Sequence, residues 1–221
     1  MPPVGNDVVD LAAPGNPGKS GDSRFCGRVF TAEERVLIVG APRPDALLWA
    51  LWAAKEAAYK AVSRLDPSVC SIPRKYRVEI NGDSALFISQ SIINRALSPF
   101  ITGRVITPRG ELALRIFLTS EWVHALAAES DAALDRFYRR VEVSDGDPSA
   151  FVRESLIREI ARLLDCGAGE FRVADDPGCP AAPGVFFRGC PLTTAVSLSH
   201  DGRFAAFAFD PLALIFSGSL C

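Results

Sequence analysis

The sequence predicts an α+β fold, because segments typical of helices alternate with segments typical of strands. Pro44–Arg64 is rich in alanine and leucine, and Ser149–Leu164 carries apolar residues at helical spacing. Thr31, followed by two glutamates, is typical of the start of a further helix. Short apolar stretches bounded by turn residues predict strands at Val4–Leu11, Arg74–Asn81, Ser84–Ser89, Glu111–Thr119, Trp122–Ala128, Thr194–Ser199 and Arg203–Phe209.

A weak internal repeat divides the chain into two similar lobes. The pattern of Ser120–Ala127 recurs in His200–Phe207 as an aromatic-led strand that would close each lobe. With 221 residues, the chain is long enough for two small lobes that pack together. We therefore predict a first lobe over residues 1–130 and a second lobe over residues 131–221. The linker between them, near residues 130–148, is expected on the surface.

The bulk composition is that of an ordinary globular protein and argues against several function classes. A formal net charge of -2 gives no basic field that would attract nucleic acid or an anionic membrane surface. No apolar run is long enough to span a bilayer, and the first residues lack the pattern of a secretory signal. Six scattered cysteines favour reduced thiols, so we expect a cytoplasmic location.

One helical stretch concentrates residues that can carry chemistry. In the first long helix, Trp52, Glu56 and Lys60 are four residues apart and therefore share one face. An exposed Glu–Lys pair is the ordinary interpretation of this spacing. The surrounding alanines and aromatic residues instead predict a mostly buried helix, in which an unpartnered carboxylate is costly. This favours a metal ion or a charged substrate as the partner of Glu56.

A second carboxylate comes from the first predicted strand. Asp7 on that strand and Glu56 on the helix could together hold Mg²⁺, because proteins usually bind this ion with one or two carboxylates and the phosphates of a substrate. Asp10 is another acid on the same strand. A capping role and a role in the metal site are both open for it.

The third chemical element is the pair Ser199–His200. A lone histidine at a strand end is often only a hydrogen-bonded structural residue. The absence of Gly-x-Ser-x-Gly argues against a hydrolase nucleophile, and the Gly18–Ser20 triplet is not a P-loop because Ala13 stands at the required upstream glycine. Ser199 and His200 together can donate to phosphate oxygens, which fits an anionic ligand.

Four segments together resemble the motifs of the 4′-phosphopantetheinyl transferase superfamily. They occur in the order found in the small holo-acyl-carrier-protein synthases, and they reach across most of the chain. Each segment alone would be a weak signal, so the resemblance depends on the presence of all four segments in this order. The segments are Gly5–Asp10, Arg28–Glu34, Trp52–Lys60 and Val196–Asp201.

The length of the chain is similar to that of the larger, monomeric, surfactin-synthetase-activating class, which has two fused homologous lobes. In that class the lobe that ends in Ser-His comes first. Here the order is reversed, since residues 1–129 resemble the usual second lobe and residues 136–210 resemble the usual first lobe. The resemblance therefore implies a monomer of two α+β lobes with pseudo-two-fold symmetry, joined in swapped order.

The resemblance also implies an activity, a cofactor and partners. Enzymes of this superfamily use Mg²⁺ and coenzyme A to place 4′-phosphopantetheine on a serine of an apo acyl or peptidyl carrier protein, releasing 3′,5′-adenosine diphosphate. His200 is expected to face the two carboxylates across one cleft. The implied roles are metal binding by Asp7 and Glu56, proton abstraction by Glu56, diphosphate binding by Lys60, and binding of the nucleotide phosphates by Ser199, His200 and Arg158.

The sequence departs from the superfamily pattern at several positions. The monomeric class usually has an acid two residues after the first aspartate, where this chain has Val9, and whether Asp10 replaces it is open. Glycines that usually follow the Lys-Glu helix are missing, and Cys179 stands in place of a common lysine. These departures bear on carrier choice and loop contacts more than on the reaction.

Two other functions remain open at the level of the sequence. A non-catalytic module that binds coenzyme A or a carrier protein would keep the same fold. A metal-dependent phosphohydrolase would act on coenzyme A with water as the nucleophile. Product analysis with and without a carrier separates these alternatives. The sequence specifies neither the carrier nor the arginines that contact the 3′-phosphate.

Overall fold

The computed structural model describes residues 3–81, 100–176 and 179–216. The first part of the chain forms an antiparallel sheet whose strands are β1 (Val4–Asp10), β2 (Arg77–Ile80), β3 (Phe100–Thr107), β4 (Gly110–Leu118) and β5 (Trp122–Ala128). Their order in the sheet is β1-β5-β4-β3-β2. The protein is therefore of the α+β class, as predicted, and β1, β2, β4 and β5 lie close to predicted strands, whereas β3 was not predicted. The predicted strand Ser84–Ser89 lies outside the described residues.

Helices α1 (Ser23–Val29), α2 (Ala32–Gly40) and α3 (Pro44–Leu65) follow β1 along the chain. The predicted cap of α2 is confirmed, because the Thr31 hydroxyl accepts from the Glu34 amide while the Glu34 carboxylate accepts from the Thr31 amide. Pro44 occupies the first turn of α3, where a missing N–H is tolerated. Buried alanines along α3 let this helix lie close against β1, β3, β4 and β5.

At Gly5, β1 and α3 approach each other closely. A Cβ atom at this position would lie 1.8 Å from the carbonyl oxygen of Ala57 and 2.8 Å from the amide nitrogen of Ala61. Both are backbone atoms of α3, so no side-chain rotation could relieve the overlap. The glycine therefore sets the distance between the strand and the helix that carry most of the predicted site.

In the later part of the chain, the described residues form two smaller antiparallel sheets and three α-helices. Their sheet orders are β10-β11-β6 and β7-β8-β9, and α5 packs against β7, β10 and β11. Leu156 and Ile160 of α5 form an apolar cluster with Phe207 and Phe209. The elements are α4 (Asp131–Arg136), β6 (Tyr138–Val143), α5 (Pro148–Leu164), β7 (Phe171–Asp176), β8 (Cys179–Phe187), β9 (Cys190–Pro191), β10 (Val196–Asp201), β11 (Phe204–Phe209) and α6 (Pro211–Phe216).

The two parts of the chain meet where β1 packs against β10 and β11. Val8 forms an apolar cluster with Phe204 and Ala206, and Trp122 packs edge-on against the Phe204 ring. Val4 is buried in a further cluster that includes residues of β4, β5, α4 and β11. The contact is thus apolar along much of its length, which favours a fixed arrangement.

The same order of connections occurs in both parts of the chain. In each, a first strand (β1 or β6) leads to a long helix (α3 or α5) and pairs with the last strand (β5 or β11). That last strand also pairs with the strand before it, β4 or β10. The segments that repeat in the sequence, Ser120–Ala127 and His200–Phe207, include most of these two last strands.

The stretch near residues 130–148, predicted to be a surface linker, is mostly exposed or partly buried but contains regular structure. This stretch contains α4 and β6, and Ala133 and Leu134 of α4 are buried. Strand β6 pairs with β11 along its whole length as the edge of its sheet. Its charged sequence misled the prediction because edge strands often carry charged side chains.

The stretch of glycines and prolines between residues 167 and 189 is not simply a loop. It contains β7 and β8, which pair antiparallel with an irregularity between Asp175 and Asp176. Pro183 is tolerated in β8 because the short β9 pairs only with Phe186 and Phe187, which leaves the rest of that side of β8 without a strand partner among the described residues. No helix among the described residues is both long and apolar enough to cross a membrane.

We predict that Gly5→Ala strongly destabilises the protein or prevents folding, because the new methyl group would overlap the α3 backbone. The measurement is the free energy of unfolding in urea. Gly27→Ala in α1 is the matched control, since no atom lies within 4 Å of its added Cβ and alanine is favoured over glycine in helices by about 0.5–1 kcal/mol. A Gly5→Ala protein as stable as the wild type would contradict the close-packing argument.

Candidate active site

Asp7, Glu56 and Lys60 lie together where β1 crosses α3. Alternation along β1 places Asp7 on the same face as Gly5, which is the face that packs against α3. Glu56 and Lys60 are one turn apart on the helix, so both reach this strand. The structure therefore brings together the three residues predicted for metal and diphosphate binding.

Lys60 connects three elements through its ammonium group. Its Nζ donates to Asp7 Oδ1 at 2.8 Å and to the Asn6 carbonyl oxygen at 3.1 Å. A longer contact of 3.5 Å reaches the Leu198 carbonyl oxygen on β10. The Lys60 side chain keeps 31% of its surface exposed, so it remains accessible to an anionic ligand.

The carboxylates of this cluster repel one another in a poorly solvated place. Burial raises the pKa of Asp7 above its ordinary value of 3.8, although the Lys60 ammonium lowers it. Burial and the Asp7 charge raise the pKa of Glu56 above 4.5. The negative charge of Asp201 also raises the pKa of Asp7. A bound cation would relieve this repulsion, and it would hold the carboxyl groups in their ionised form.

A cleft of about 320 Å³ opens beside the carboxylates, and we call it the acidic cleft. The aromatic rings of Phe25, Trp49 and Trp52 line one part of it. These rings contact one another, with centroids 5.8–6.2 Å apart. The acidic cleft is lined by Asp7, Val8, Val9, Asn16, Phe25, Trp49, Trp52, Glu56, His200 and Asp201.

A second cleft, of about 360 Å³, lies on the other side of His200, and we call it the basic cleft. Lys60, Arg153 and His200 give it cationic and donor groups, while Asp175 contributes one carboxylate. It is lined by Lys60, Ser149, Val152, Arg153, Asp175, Ala182, Pro183, Leu198, Ser199 and His200. Because His200 lines both clefts, they form neighbouring parts of one surface.

The structure places the two remaining predicted residues differently. Ser199 is buried beside the basic cleft, and its hydroxyl donates to Asn6 Oδ1 at 2.6 Å. Arg158 is on α5 but does not line either cleft, since its guanidinium donates to Ser155 Oγ and lies 3.9 Å from the Glu142 carboxylate. The arginine that lines the basic cleft is Arg153, about one and a half turns earlier on the helix.

Arg153 was not singled out in the sequence because arginines on amphipathic helices are usually solvated. Its guanidinium donates to the carbonyl oxygen and to the hydroxyl of Ser149, which holds it along the rim of the basic cleft. Helical spacing could have found it. Val152 and Leu156 define the buried face of α5, and Arg153 borders that face while Arg158 is about 140° away around the helix.

Asp10 does not join Asp7 at the acidic cleft. It lies three residues further along β1 and therefore on the opposite face of the strand. There its two carboxylate oxygens accept from Arg203 Nε and Nη2, both at 2.8 Å, and from the amides of Ala12 and Arg203. Asp10 therefore joins β1 to the turn after β10, and it does not replace the acid that is missing at Val9.

Lys55 of the Lys-Glu motif has a structural environment that the sequence did not reveal. Its side chain is fully buried, and Nζ donates to Glu34 Oε1 at 2.8 Å and to the carbonyl oxygens of Pro73 and Tyr76. Glu34 also accepts from the amide of Val78. The pair thus ties α3 to α2 and to the start of β2, and neither residue lines a cleft.

The residues at the acidic cleft fit a metal ion that is bound together with a ligand. Among the described residues, no three His, Cys, Asp or Glu side chains are grouped closely enough to hold a metal by themselves. Asp7 and Glu56 nevertheless supply two carboxylates to one cleft. This donor set suits Mg²⁺, which keeps several waters and commonly shares its shell with substrate phosphates.

Residues 3–88 match the family model described as the 4′-phosphopantetheinyl transferase superfamily. The predicted resemblance to this superfamily is thereby confirmed. The matched segment contains Asp7, Glu56 and Lys60, whereas Arg153, Ser199 and His200 lie beyond it. No curated protein matches the chain.

We predict that the stabilising contribution of Asp10 depends on pH. Arg203 lowers the pKa of Asp10 from 3.8 to about 2. The contribution is therefore fully present above about pH 4 and is lost as the pH falls toward about 2. It amounts to at most about 2 kcal/mol, because Arg203 is 49% exposed and solvent screens the pair.

The check is urea unfolding of the wild type and of Asp10→Asn, at pH 7 and at the lowest pH at which both proteins still fold. The difference in unfolding free energy should be larger at pH 7. Asp135→Asn, whose side chain is 68% exposed, gives the baseline for a surface ion pair. A difference for Asp10→Asn that does not change with pH would show that the ion pair does not stabilise the fold.

Proposed function

We propose that this chain is a Mg²⁺-dependent transferase that moves 4′-phosphopantetheine from coenzyme A to a serine of an apo carrier protein. The superfamily match over residues 3–88 supports phosphopantetheine transfer. The observation that carries the proposal is that Asp7 and Glu56 share one cleft with His200, a residue outside the matched segment. A diphosphate with a nucleotide attached needs both acidic metal ligands and separate phosphate donors, and this surface offers both.

In the proposed complex, coenzyme A lies across the acidic and basic clefts. Lys60, Arg153 and His200 bind the phosphates of the nucleotide and the diphosphate, since these three side chains border the basic cleft. Ser199 supports this arrangement through its hydrogen bond to Asn6. Arg158, expected from the resemblance to bind a phosphate, is replaced in this role by Arg153.

Asp7 and Glu56 would hold the metal ion, which when bound neutralises negative charge on the diphosphate oxygens. The Asp7–Lys60 ion pair then has a clear use, because Lys60 orients Asp7 and opposes the rise in the Asp7 pKa that burial causes while the site is free. Lys60 lies 2.8 Å from Asp7 Oδ1, so a phosphate that binds Lys60 would lie beside a metal ion held by Asp7, which would offset the repulsion between the phosphate and the carboxylate.

Glu56 is the proposed general base. In the reaction, the carrier serine oxygen bonds to the β-phosphorus of coenzyme A, and the bond from that phosphorus to the bridging oxygen breaks. The serine proton moves to the Glu56 carboxylate, and 3′,5′-adenosine diphosphate departs with the bridging oxygen. In the free site, burial and the Asp7 charge raise the pKa of Glu56, which favours proton uptake by this carboxylate. Among the described residues, no hydrogen bond contributes to this shift.

We also propose that the chain consists of two lobes related by pseudo-two-fold symmetry and joined in swapped order. The shared order of strands, β1-β5-β4 in one part and β6-β11-β10 in the other, supports this arrangement. In each lobe the longest helix lies between the first strand and the last two strands of this order. The resemblance to the monomeric class further favours a monomer, with an acyl or peptidyl carrier protein as its partner in the cytoplasm.

Intact-mass analysis tests the proposed function. Apo carrier proteins of the fatty-acid, polyketide and peptide-synthetase types are incubated with coenzyme A, Mg²⁺ and the protein. At least one carrier should gain the mass of one phosphopantetheine. Release of phosphopantetheine without a carrier would identify a phosphohydrolase instead. Binding of coenzyme A without any product would identify a binding module.

Glu56→Gln should lower the rate of transfer at least about 100-fold, because the variant loses both a metal ligand and the base. The rate is read from the same mass assay at saturating carrier. Glu33→Gln on the exposed face of α2 is the matched control and should leave the rate unchanged. Near-normal transfer by a folded Glu56→Gln protein would overturn the assignment of Glu56.

Mg²⁺ should bind weakly to the free protein and more tightly when coenzyme A is present. Two carboxylates leave most of the metal shell to water, and the ligand phosphates complete it. Calorimetric titration with Mg²⁺, with and without coenzyme A, measures the difference. Tight Mg²⁺ binding that does not change with coenzyme A would contradict the proposed shared metal site.

A further inference from the structure

A buried polar cluster lies behind the two clefts, at the contact between β1 and β10. It consists of Asn6 on β1, His124 on β5, and Ser197 and Ser199 on β10, all of which are buried. Of the roles proposed above, only the support that Ser199 gives involves the side chain of Asn6. Such a cluster in an otherwise apolar contact calls for a physical explanation.

Asn6 is the centre of this cluster and contacts three other elements. Its backbone N–H donates to Ser197 Oγ at 2.9 Å, and its side-chain Oδ1 accepts from Ser199 Oγ at 2.6 Å. Oδ1 also lies 3.1 Å from His124 Nε2, and the backbone carbonyl oxygen of Asn6 accepts from Lys60 Nζ at 3.1 Å. Burial lowers the pKa of His124 well below 6.5, so the imidazole stays neutral and Nε2–H can be the donor.

The cluster is not the most stable solution for this contact. Asn6 Nδ2 and His124 Nδ1 are buried and have no hydrogen-bond partner among the described residues. Unsatisfied polar groups in a buried place cost free energy, and well-packed apolar side chains often serve stability better. A polar residue at position 6 therefore favours one particular alignment of the strands over others, as a buried asparagine does when it fixes the register of a coiled coil.

The arrangement that Asn6 specifies is the alignment of β1 with β10. Side chains alternate along both strands, so Asn6 and Ser199 face each other at the back while Asp7 and His200 face the acidic cleft at the front. A slip of one residue would turn Asp7 or His200 away from the cleft. The Asn6–Ser199 hydrogen bond thus joins the two strands that present Asp7 and His200 to the acidic cleft.

We propose that Asn6 is a positioning residue that holds β10 against β1, so that His200 and Asp7 engage the same anionic ligand. The proposal rests on the proposed function for the identity of that ligand, coenzyme A. Asn6 itself does not line either cleft and acts through His200. Its loss should therefore cost ligand affinity only while His200 is present.

A double-mutant cycle tests this dependence. Calorimetry measures coenzyme A affinity, with Mg²⁺ present, for the wild type, Asn6→Ala, His200→Ala and the double variant. Loss of a specific hydrogen bond should weaken binding about 10-fold for Asn6→Ala. In the His200→Ala background the same change should have almost no further effect. Equal losses in both backgrounds would show that Asn6 supports only the fold, and would overturn the proposal.

Val4→Ala is the matched control. Val4 lies on the same face of β1, is fully buried and belongs to an apolar cluster with residues of the second part of the chain, but it lines neither cleft. It should lower stability without lowering coenzyme A affinity. A loss of affinity for Val4→Ala as large as that for Asn6→Ala would again indicate a merely structural role.

Hydrogen exchange in the free protein keeps this proposal separate from the proposed function. If the wild type binds no coenzyme A, the proposed function fails, but the alignment can still be measured. Amides of β10 should exchange at least about 10-fold faster in Asn6→Ala than in Val4→Ala, compared at equal global stability. Ser199→Ala removes the same hydrogen bond and takes the place of Asn6→Ala if that variant does not fold. Equal exchange would overturn the proposal.

Discussion

Strand β1 is buried on both of its faces, and the geometry of both clefts depends on this double packing. One face presents Gly5, Asp7 and Val9 to α3, and the other presents Asn6, Val8 and Asp10 to β10 and β11. The lack of a side chain at Gly5 brings the helix close enough for Lys60 to reach Asp7. The opposite face meets the second part of the chain through apolar contacts and the Asp10–Arg203 ion pair. A single strand of seven residues therefore positions charged groups from three elements. Its side chains alternate, so one face carries the residue of the candidate site and the other face contacts the second part of the chain.

Two lysines of α3 show how the same helix supports both stability and chemistry. Lys55 is buried with Glu34, and its three donor hydrogens meet three acceptors, so no capacity is left for a ligand. Removing one partner of such a pair leaves a buried charge, which typically costs about 3–5 kcal/mol. Lys60 also has three acceptors, but one of them is 3.5 Å away and its side chain is partly exposed. It can exchange weak contacts for a phosphate, whereas Lys55 cannot. Sequence spacing alone does not distinguish these lysines, because the difference arises from the elements that pack around each of them.

The sequence was informative where local rules decide the structure. Strong periodicity predicted α3 and α5, and the capping box at Thr31 and Glu34 was visible in the residue types. Asp7, Glu56 and Lys60 could be predicted as one site because Glu56 and Lys60 share a helix face through their spacing, and Asp7 lies on a short strand. The prediction missed β6, whose charged residues suit an edge strand, and α4, where short apolar groups are buried only by tertiary contacts. It also chose Arg158 over Arg153, since which side of α5 faces a cleft depends on β8 and β10 rather than on the helix itself.

The order of the proposed lobes along the chain has little influence on the surface that they form. Residues of β1 and β10 that bond to each other are separated by more than 190 positions, so their contact is held by packing and hydrogen bonds rather than by connectivity. The connection that joins the two parts leaves β5, passes through α4, whose Ala133 and Leu134 are buried, and enters β6, an edge strand. None of these connecting residues lines either cleft. Joining the lobes in the opposite order would require a connection at a different pair of ends, but it would leave the β1–β10 contact unchanged. The motifs therefore identify which residues meet, while the interface between the strands determines how they meet.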